Sequence, residues 1–110
     1  MIQAEFYVRD GDQVTGFSVS GHAMFAEAGE DIVCAAVSSA AYMTVNTITE
    51  ILSIEPQILL DEGCMCVMLR ESADIARAQD ILQGFRLHIT QLATDYPNNI
   101  AVNLRGVKNA

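Results

Sequence analysis

The chain has 110 residues, a size that suits one domain with its own hydrophobic core, spanning 1–110. Its 14 acidic and 6 basic residues give a net charge of −8, which disfavours direct binding of nucleic acid and favours a basic partner. Three cysteines, an odd number, and a start without the pattern of a signal peptide argue against a disulfide framework, so we expect free thiols in the cytoplasm.

The first predicted element is a β-hairpin. Apolar and polar residues alternate from Ile2 to Arg9, which is the period of a half-buried strand. Asp10-Gly11-Asp12 predicts the turn into a second strand. In that strand Val14 has one parity and Phe17 the other, so we predict a β-bulge at Gly16, between them.

The stretch GHAMFAEAGEDIVCAAVS, from Gly21 to Ser38, carries the candidate chemistry. Gly21 has the backbone freedom to leave the second strand and present His22. Asp31 precedes a long uncharged run and is a typical N-cap residue, so Cys34 is predicted in the first turn of a helix. The positive end of the helix dipole favours the reactive thiolate, whereas the charge of Asp31 opposes it.

The cysteines also have simpler interpretations. An unpaired cysteine is commonly a small buried hydrophobe, and Cys34 has apolar neighbours. Cys64 and Cys66 lie two residues apart in a strand-like run and therefore share one face, where packing is the favoured role. A zinc site would need two more ligands, which two scattered histidines do not supply, so we expect neither a metal nor a cofactor.

The run that follows predicts a covered helix. From Ile32 to Thr49 no residue is charged, but Ser, Thr and Asn recur within it, so a core helix is favoured and no membrane span is expected. Its small and polar side permits close approach of a second helix or another subunit, which predicts a homodimer. Its apolar side is expected to lie on the sheet through Val33, Val37, Ala40, Ile48 and Ile51.

The remaining chain predicts a second hairpin, a second helix and a last strand. The hairpin runs from Ile58 to Arg70, and the helix is capped by Ser72 and carries an apolar stripe to Tyr96. Gly84 in this helix is expected to mark a close contact. With the strand at 100–104, the order ββαββαβ predicts an α+β fold: a mixed, mainly antiparallel sheet of about five strands with two α-helices.

The candidate stretch resembles a known signature. Gly21-His22-Ala23, then Gly29, then the run from Asp31 to Ser38 are similar to the motif of the bacterial ribosomal-processing cysteine protease family, Prp. The length of the chain and its order of elements resemble that family as well, so the similarity covers essentially the whole sequence.

The resemblance implies a cysteine endopeptidase with Cys34 as nucleophile and His22 as base. Backbone N–H groups at the start of the helix are then expected to stabilise the oxyanion. Asp31 either orients His22 or caps the helix, and capping is favoured by its propensity. Ser38, one turn after Cys34, either hydrogen-bonds near the thiol or packs.

The resemblance also implies the substrate and the assembly. Family members remove an N-terminal extension from a large-subunit ribosomal protein by cutting after a phenylalanine, and a homodimer is expected. Two other classes of function stay open on the residues alone. One is an acidic, dimeric, ribosome-associated binding module without catalytic activity, and the other is a thiol redox protein that uses Cys34, or Cys64 with Cys66.

Overall fold

A computed structural model of the chain describes residues 1–21 and 28–107, except for the side chains of residues 28–31. Within that part of the chain, five strands and three α-helices alternate. In chain order they are β1 (Ile2–Arg9), β2 (Gln13–Ser20), α1 (Ala28–Asn46), β3 (Gln57–Asp61), β4 (Cys64–Met68), α2 (Ser72–Arg77), α3 (Gln79–Asp95) and β5 (Ile100–Gly106).

The strands form one mixed sheet in the order β3-β4-β2-β1-β5. β5 runs parallel to β1, and the other three pairings are antiparallel, which confirms the predicted α+β architecture. The helices cover one face of this sheet. There the ring of Phe85 on α3 lies edge-on to Phe6 and Phe17, with centroids 5.6 and 4.6 Å apart.

The predicted bulge is present in β2. Tyr7 pairs with Gly16 and Val8 pairs with Val14, so Thr15 is the extra residue. A Cβ on Gly16 would collide with the carbonyl oxygen of Val67 on β4. Glycine is therefore required here by the close approach of two backbones.

We expect Gly16→Ala to destabilise the protein by about 2 kcal/mol, because the strands would have to separate to admit the methyl group. Gly84→Ala is the matched control. Apart from the nearby backbone of α3 itself, no atom of the described residues lies within 4 Å of a Cβ built on Gly84, so the expected close contact is absent from that part of the chain, and alanine should stabilise α3 by about 1 kcal/mol. Urea denaturation of both variants measures the difference; equal stability would contradict the packing at Gly16.

The prediction of two helices is wrong, because the second one is broken. α2 ends at Arg77 and α3 begins at Gln79, with non-helical dihedrals at Ala78 (φ −93°, ψ 1°). The side chain of Gln79 accepts a hydrogen bond from Val14 N–H (3.0 Å) and donates one to the Val14 carbonyl (2.8 Å), which ties the break to β2. The predicted cap is also wrong: Ser72 is the first helical residue, and Glu71 occupies the N-cap.

The spacing of apolar residues in the sequence does not indicate this break, because buried residues recur at helical spacing on both sides of it. Ile75 and Ala78 are buried, and so are Leu82, Phe85 and Ile89 further along. Tyr96, at the end of the predicted stripe, is instead exposed. The break therefore interrupts the helix without changing which face is apolar.

α1 lies on the sheet through Val33, Val37, Ala41 and Thr44, and like Ile48 just beyond its end these residues are at most 2% exposed. It continues into a π-helical turn, Thr47–Ile51. That turn changes the helical phase, and Ile51, predicted to lie on the sheet, is 76% exposed. By length and composition alone the segment Ile32–Ile51 is apolar enough to cross a membrane, with a mean hydropathy of 1.4. In this structure 33% of the segment is buried, along the face that lies on the sheet.

Candidate active site

Cys34 lies on α1 and is half-buried beside a groove of about 330 Å³. The groove is bounded on one side by α1 and on the other by the β3–β4 hairpin. A concave site of this size is within the range of ligand pockets. Its walls are formed by Val19, Cys34, Ala35, Ser38, Ala41, Tyr42, Leu60, Asp61, Gly63, Cys64 and Met65.

The helix that carries the thiol begins earlier than predicted. α1 starts at Ala28, so Asp31 lies within its first turn and is not the N-cap, and Cys34 lies in the second turn. Ala28 and Glu30 have favourable helix propensities, so the helix begins before Asp31, the residue with the capping propensity. The dipole field falls off within the first turn, so its effect at Cys34 is smaller than the sequence suggested.

The earlier start of α1 also changes which backbone N–H groups are free to stabilise an oxyanion. The N–H groups that lack a helical partner belong to the first turn of a helix, here 28–31. The N–H of Cys34 lies inside the hydrogen-bonded ladder of α1. The backbone next to the thiol therefore does not supply the donors that were expected from a helix start at that point.

Ser38 and Tyr42 follow Cys34 at four-residue intervals, and all three line the groove. The structure therefore places Ser38, one of the two predicted supporting residues, on the same wall as the thiol. Ser38 is half-buried and Tyr42 is 52% exposed, so this wall runs from the interior at Cys34 towards solvent at the tyrosine ring. Sequence reasoning missed Tyr42, although its spacing from Cys34 was a usable signal.

Gly21 connects the sheet to the segment that contains His22. Its φ of 84° requires glycine, and so does the Met1 carbonyl oxygen, with which a Cβ at this position would collide. Its N–H donates to the carbonyl of Gly63 at 3.1 Å, and Gly63 lines the groove. His22 itself lies outside the described residues. The residue before it, however, is fixed at the rim of the groove that holds Cys34.

Cys64 and Cys66 both follow the outward parity of β4, and Cys34, Cys64 and Cys66 are all free thiols. Burial and the neighbouring Cys64 raise the pKa of the Cys66 thiol, although a hydrogen bond with Tyr7 acts in the opposite direction. Burial also raises the pKa of the Tyr7 hydroxyl. In the described part of the chain, no three His, Cys, Asp or Glu side chains form a group that could hold a metal ion.

We expect Cys66 to react slowly with iodoacetamide at pH 8, because a raised pKa keeps the sulfur as the unreactive thiol. Its alkylation rate should increase only at a pH above that at which an ordinary cysteine ionises. Mass spectrometry of tryptic peptides, quenched over time between pH 7 and 10, measures this. Reaction of Cys66 as fast as an unfolded reference peptide at pH 8 would contradict the assigned environment.

A thiol that opens into a concave groove, beside the exit of a histidine-bearing segment, is the arrangement of a cysteine-dependent hydrolase. Comparisons with known proteins agree with this class. The model of the family described as cysteine protease Prp matches residues 1–101. The chain therefore belongs to the Prp family, and it is a cysteine peptidase.

The relatives span nearly the whole chain. The ribosomal processing cysteine protease Prp of Bacillus subtilis is 31% identical over 107 residues, which cover 93% of this chain and 96% of the relative. The essential Prp protease of Staphylococcus aureus, crystallised with a substrate peptide, has a TM-score of 0.85 at 31% identity and covers 96% of this chain and 100% of its own. The same protease with a covalently linked product peptide has a TM-score of 0.83 at 32% identity and the same coverage.

Proposed function

We propose that this chain is a cytoplasmic endopeptidase that removes an N-terminal extension from a large-subunit ribosomal protein by cutting after a phenylalanine. Cys34 is the nucleophile and His22 is the base. The observation that carries this proposal is the location of the Cys34 thiol in a groove to whose rim Gly21, the residue before His22, is hydrogen-bonded. The names of the relatives, ribosomal processing proteases, support the choice of substrate.

The proposed reaction has two steps. In the first, Sγ of Cys34 attacks the carbonyl carbon of the phenylalanine, His22 takes the thiol proton, and the same proton passes to the leaving amine of the next residue as the C–N bond breaks. The products are a thioester on Cys34 and the shortened ribosomal protein. In the second step, water hydrolyses the thioester, which releases the extension and restores the thiol.

The groove suits a phenylalanine side chain next to the scissile bond. Its inner surface is apolar, with Val19, Ala41 and Met65 buried below and Tyr42 and Leu60 at its sides. An aromatic ring prefers such surroundings, and burying one removes about 150–250 Å² from water. Burial of the ring there would hold the adjacent carbonyl beside the thiol. Ser38, on the same wall, would position Cys34. Asp31, in the first turn of α1, would orient His22.

The net charge of −8 supports a basic substrate, because an acidic surface attracts ribosomal proteins in a salt-dependent way.

The test of the proposed function is cleavage of a peptide that spans the extension junction of the host's ribosomal protein, followed by mass spectrometry. We expect a single cut after phenylalanine, and none when that phenylalanine is replaced by aspartate. Uncut peptide after prolonged incubation with folded enzyme would contradict the proposal.

We also propose a homodimer, since from Ile32 onward the outer side of α1 is exposed and uncharged. Ile32, Tyr42 and Met43 are 69, 52 and 57% exposed, an unusual amount of apolar surface for one helix of a monomer. Sedimentation at micromolar concentration should give a species of twice 11.9 kDa. Met43→Lys should shift it towards the monomer. A sedimenting species of 11.9 kDa for the unmodified protein would contradict the dimer.

A further inference from the structure

Three sulfur-bearing side chains follow one another on the face of the sheet that the helices leave uncovered. Cys64, Cys66 and Met68 alternate along β4 with the buried residues Met65 and Val67, so all three belong to the uncovered face. Cys64 and Cys66 are half-buried free thiols, and the proposed reaction uses neither of them. Thiolate and thioether sulfurs are soft ligands, which select soft metal ions.

The spacing of Cys64 and Cys66 is too long for a disulfide but suits one bridging cation. Residues two apart on a strand have Cβ atoms about 6.6 Å apart, which is twice the rise per residue. A disulfide needs Cβ atoms about 3.5–4.5 Å apart, and the pairing of β4 with both β2 and β3 opposes such a distortion. Two metal–sulfur bonds of about 2.3 Å in a line need sulfurs about 4.6 Å apart, so each sulfur has to lean only about 1 Å towards the other. A redox couple of Cys64 with Cys66 is therefore disfavoured, and a shared ion is favoured.

The neighbours of the two thiols leave room for an ion and orient one of the sulfurs. On β2, Ser18 lies opposite Cys66 and Ser20 lies opposite Cys64, and both side chains are small. Burial raises the pKa of Cys66, and the hydrogen bond with Tyr7 opposes this effect because the hydroxyl donates to the sulfur. Ser18 is in turn hydrogen-bonded to Tyr7. Since hydrogen bonds to a ligating atom fix its orientation, Ser18 and Tyr7 together hold the Cys66 sulfur in place.

The number of available ligands selects the ion. The expectation of no metal site was based on zinc, which takes four ligands in structural sites. Within the described residues no three His, Cys, Asp or Glu side chains form a group that could hold a metal ion, so zinc remains unsuited to this face. Cu(I) is a soft cation that accepts two thiolates in a linear arrangement. Each thiol releases its proton on binding, and neither copper nor sulfur changes its oxidation state.

We propose that Cys64 and Cys66 bind one Cu(I) ion between their sulfur atoms, on the uncovered face of the sheet. Tyr7 is a positioning residue, which orients the Cys66 sulfur by its hydrogen bond. Cys34 lies on α1, on the other side of the sheet, so the site does not include the proposed nucleophile.

The test is an anaerobic titration of the reduced, full-length protein with Cu(I), with the chromophoric chelator bicinchoninate as competitor. We expect Cys34→Ser to bind one Cu(I) per chain as tightly as the unmodified protein. Cys64→Ser and Cys66→Ser should each weaken binding by about 10²–10⁴-fold, because the second of two linked ligands is lost, and Tyr7→Phe should weaken it about tenfold. Circular dichroism establishes that the variants are folded. Unchanged affinity in folded Cys64→Ser or Cys66→Ser, or loss of binding in Cys34→Ser, would overturn the proposal.

A synthetic peptide of residues 62–68 is the control for chelation by any two neighbouring thiols. The folded protein should bind Cu(I) at least about tenfold more tightly than this peptide, because β4 holds the two sulfurs in place and Tyr7 donates to one of them. Equal affinity of the protein and the peptide would show that the fold builds no site, and the proposal would be wrong.

A second measurement tests the spacing on which the proposal depends. Diamide takes two electrons and two protons from a pair of thiols and leaves a disulfide. In folded Cys34→Ser it should not join Cys64 to Cys66, and peptide mapping after alkylation of the remaining thiols detects the product. Rapid formation of that disulfide in the folded protein would overturn the geometry of the site.

Discussion

Cys34→Ala should abolish cleavage of the junction peptide, with a loss in kcat/KM of at least about 10³-fold, because the proposed thioester forms on the Cys34 sulfur. The fold should survive the change. Cys34 is only half-buried, and alanine already stands at the next two positions of the helix. Steady-state cleavage measured by mass spectrometry, with circular dichroism as a check on folding, tests this expectation.

Cys66→Ser is the matched control for the loss of a thiol. Cys66 lies on β4 with the parity of the uncovered face and does not line the groove. The kcat/KM of the Cys66→Ser variant should equal that of the unmodified enzyme. Retained cleavage by Cys34→Ala would remove Cys34 from the mechanism. Loss of cleavage in Cys66→Ser with its fold intact would show that the loss of activity is not specific to Cys34.

His22→Ala should lower kcat/KM by about 10²–10⁴-fold, the usual contribution of a general base. The remaining activity should rise steadily with pH, since hydroxide then has to generate the thiolate that His22 no longer provides. A pH–rate profile of the variant and the unmodified enzyme measures both effects.

The chain offers a matched control for the imidazole as well. Its second histidine, His88, is exposed on α3 and lies outside the groove. His88→Ala should leave both kcat/KM and the pH profile unchanged. Equal losses in the two variants would indicate a general effect on stability and not the removal of a base.

The strand pattern of the sequence was enough to predict the strands of the sheet, and even a bulge next to Gly16. Alternation is a local property, and the slip of parity between Val14 and Phe17 is visible without any knowledge of partners. The boundaries of the helices could not be predicted as well from the sequence. The start of α1 and the break at Ala78 depend on contacts such as the hydrogen bonds from Gln79 to β2, which join residues far apart in sequence.

Only one wall of the candidate site could be predicted. Cys34 and Ser38 lie on one helix, so their proximity follows from four-residue spacing. Leu60, Asp61 and Gly63 reach the opposite wall only because β3 and β4 pair beyond β2 at the edge of the sheet. Nothing local to those residues marks them as part of a site.

Covalent trapping with a peptide chloromethyl ketone that ends in phenylalanine tests the central claim most directly. Such a reagent alkylates the thiol that faces the scissile position, and the intact mass followed by peptide mapping identifies it. We expect one adduct per chain, on Cys34, formed much more slowly in His22→Ala. An adduct on Cys64 or Cys66 with Cys34 unmodified, in an enzyme that the reagent inactivates, would contradict the account.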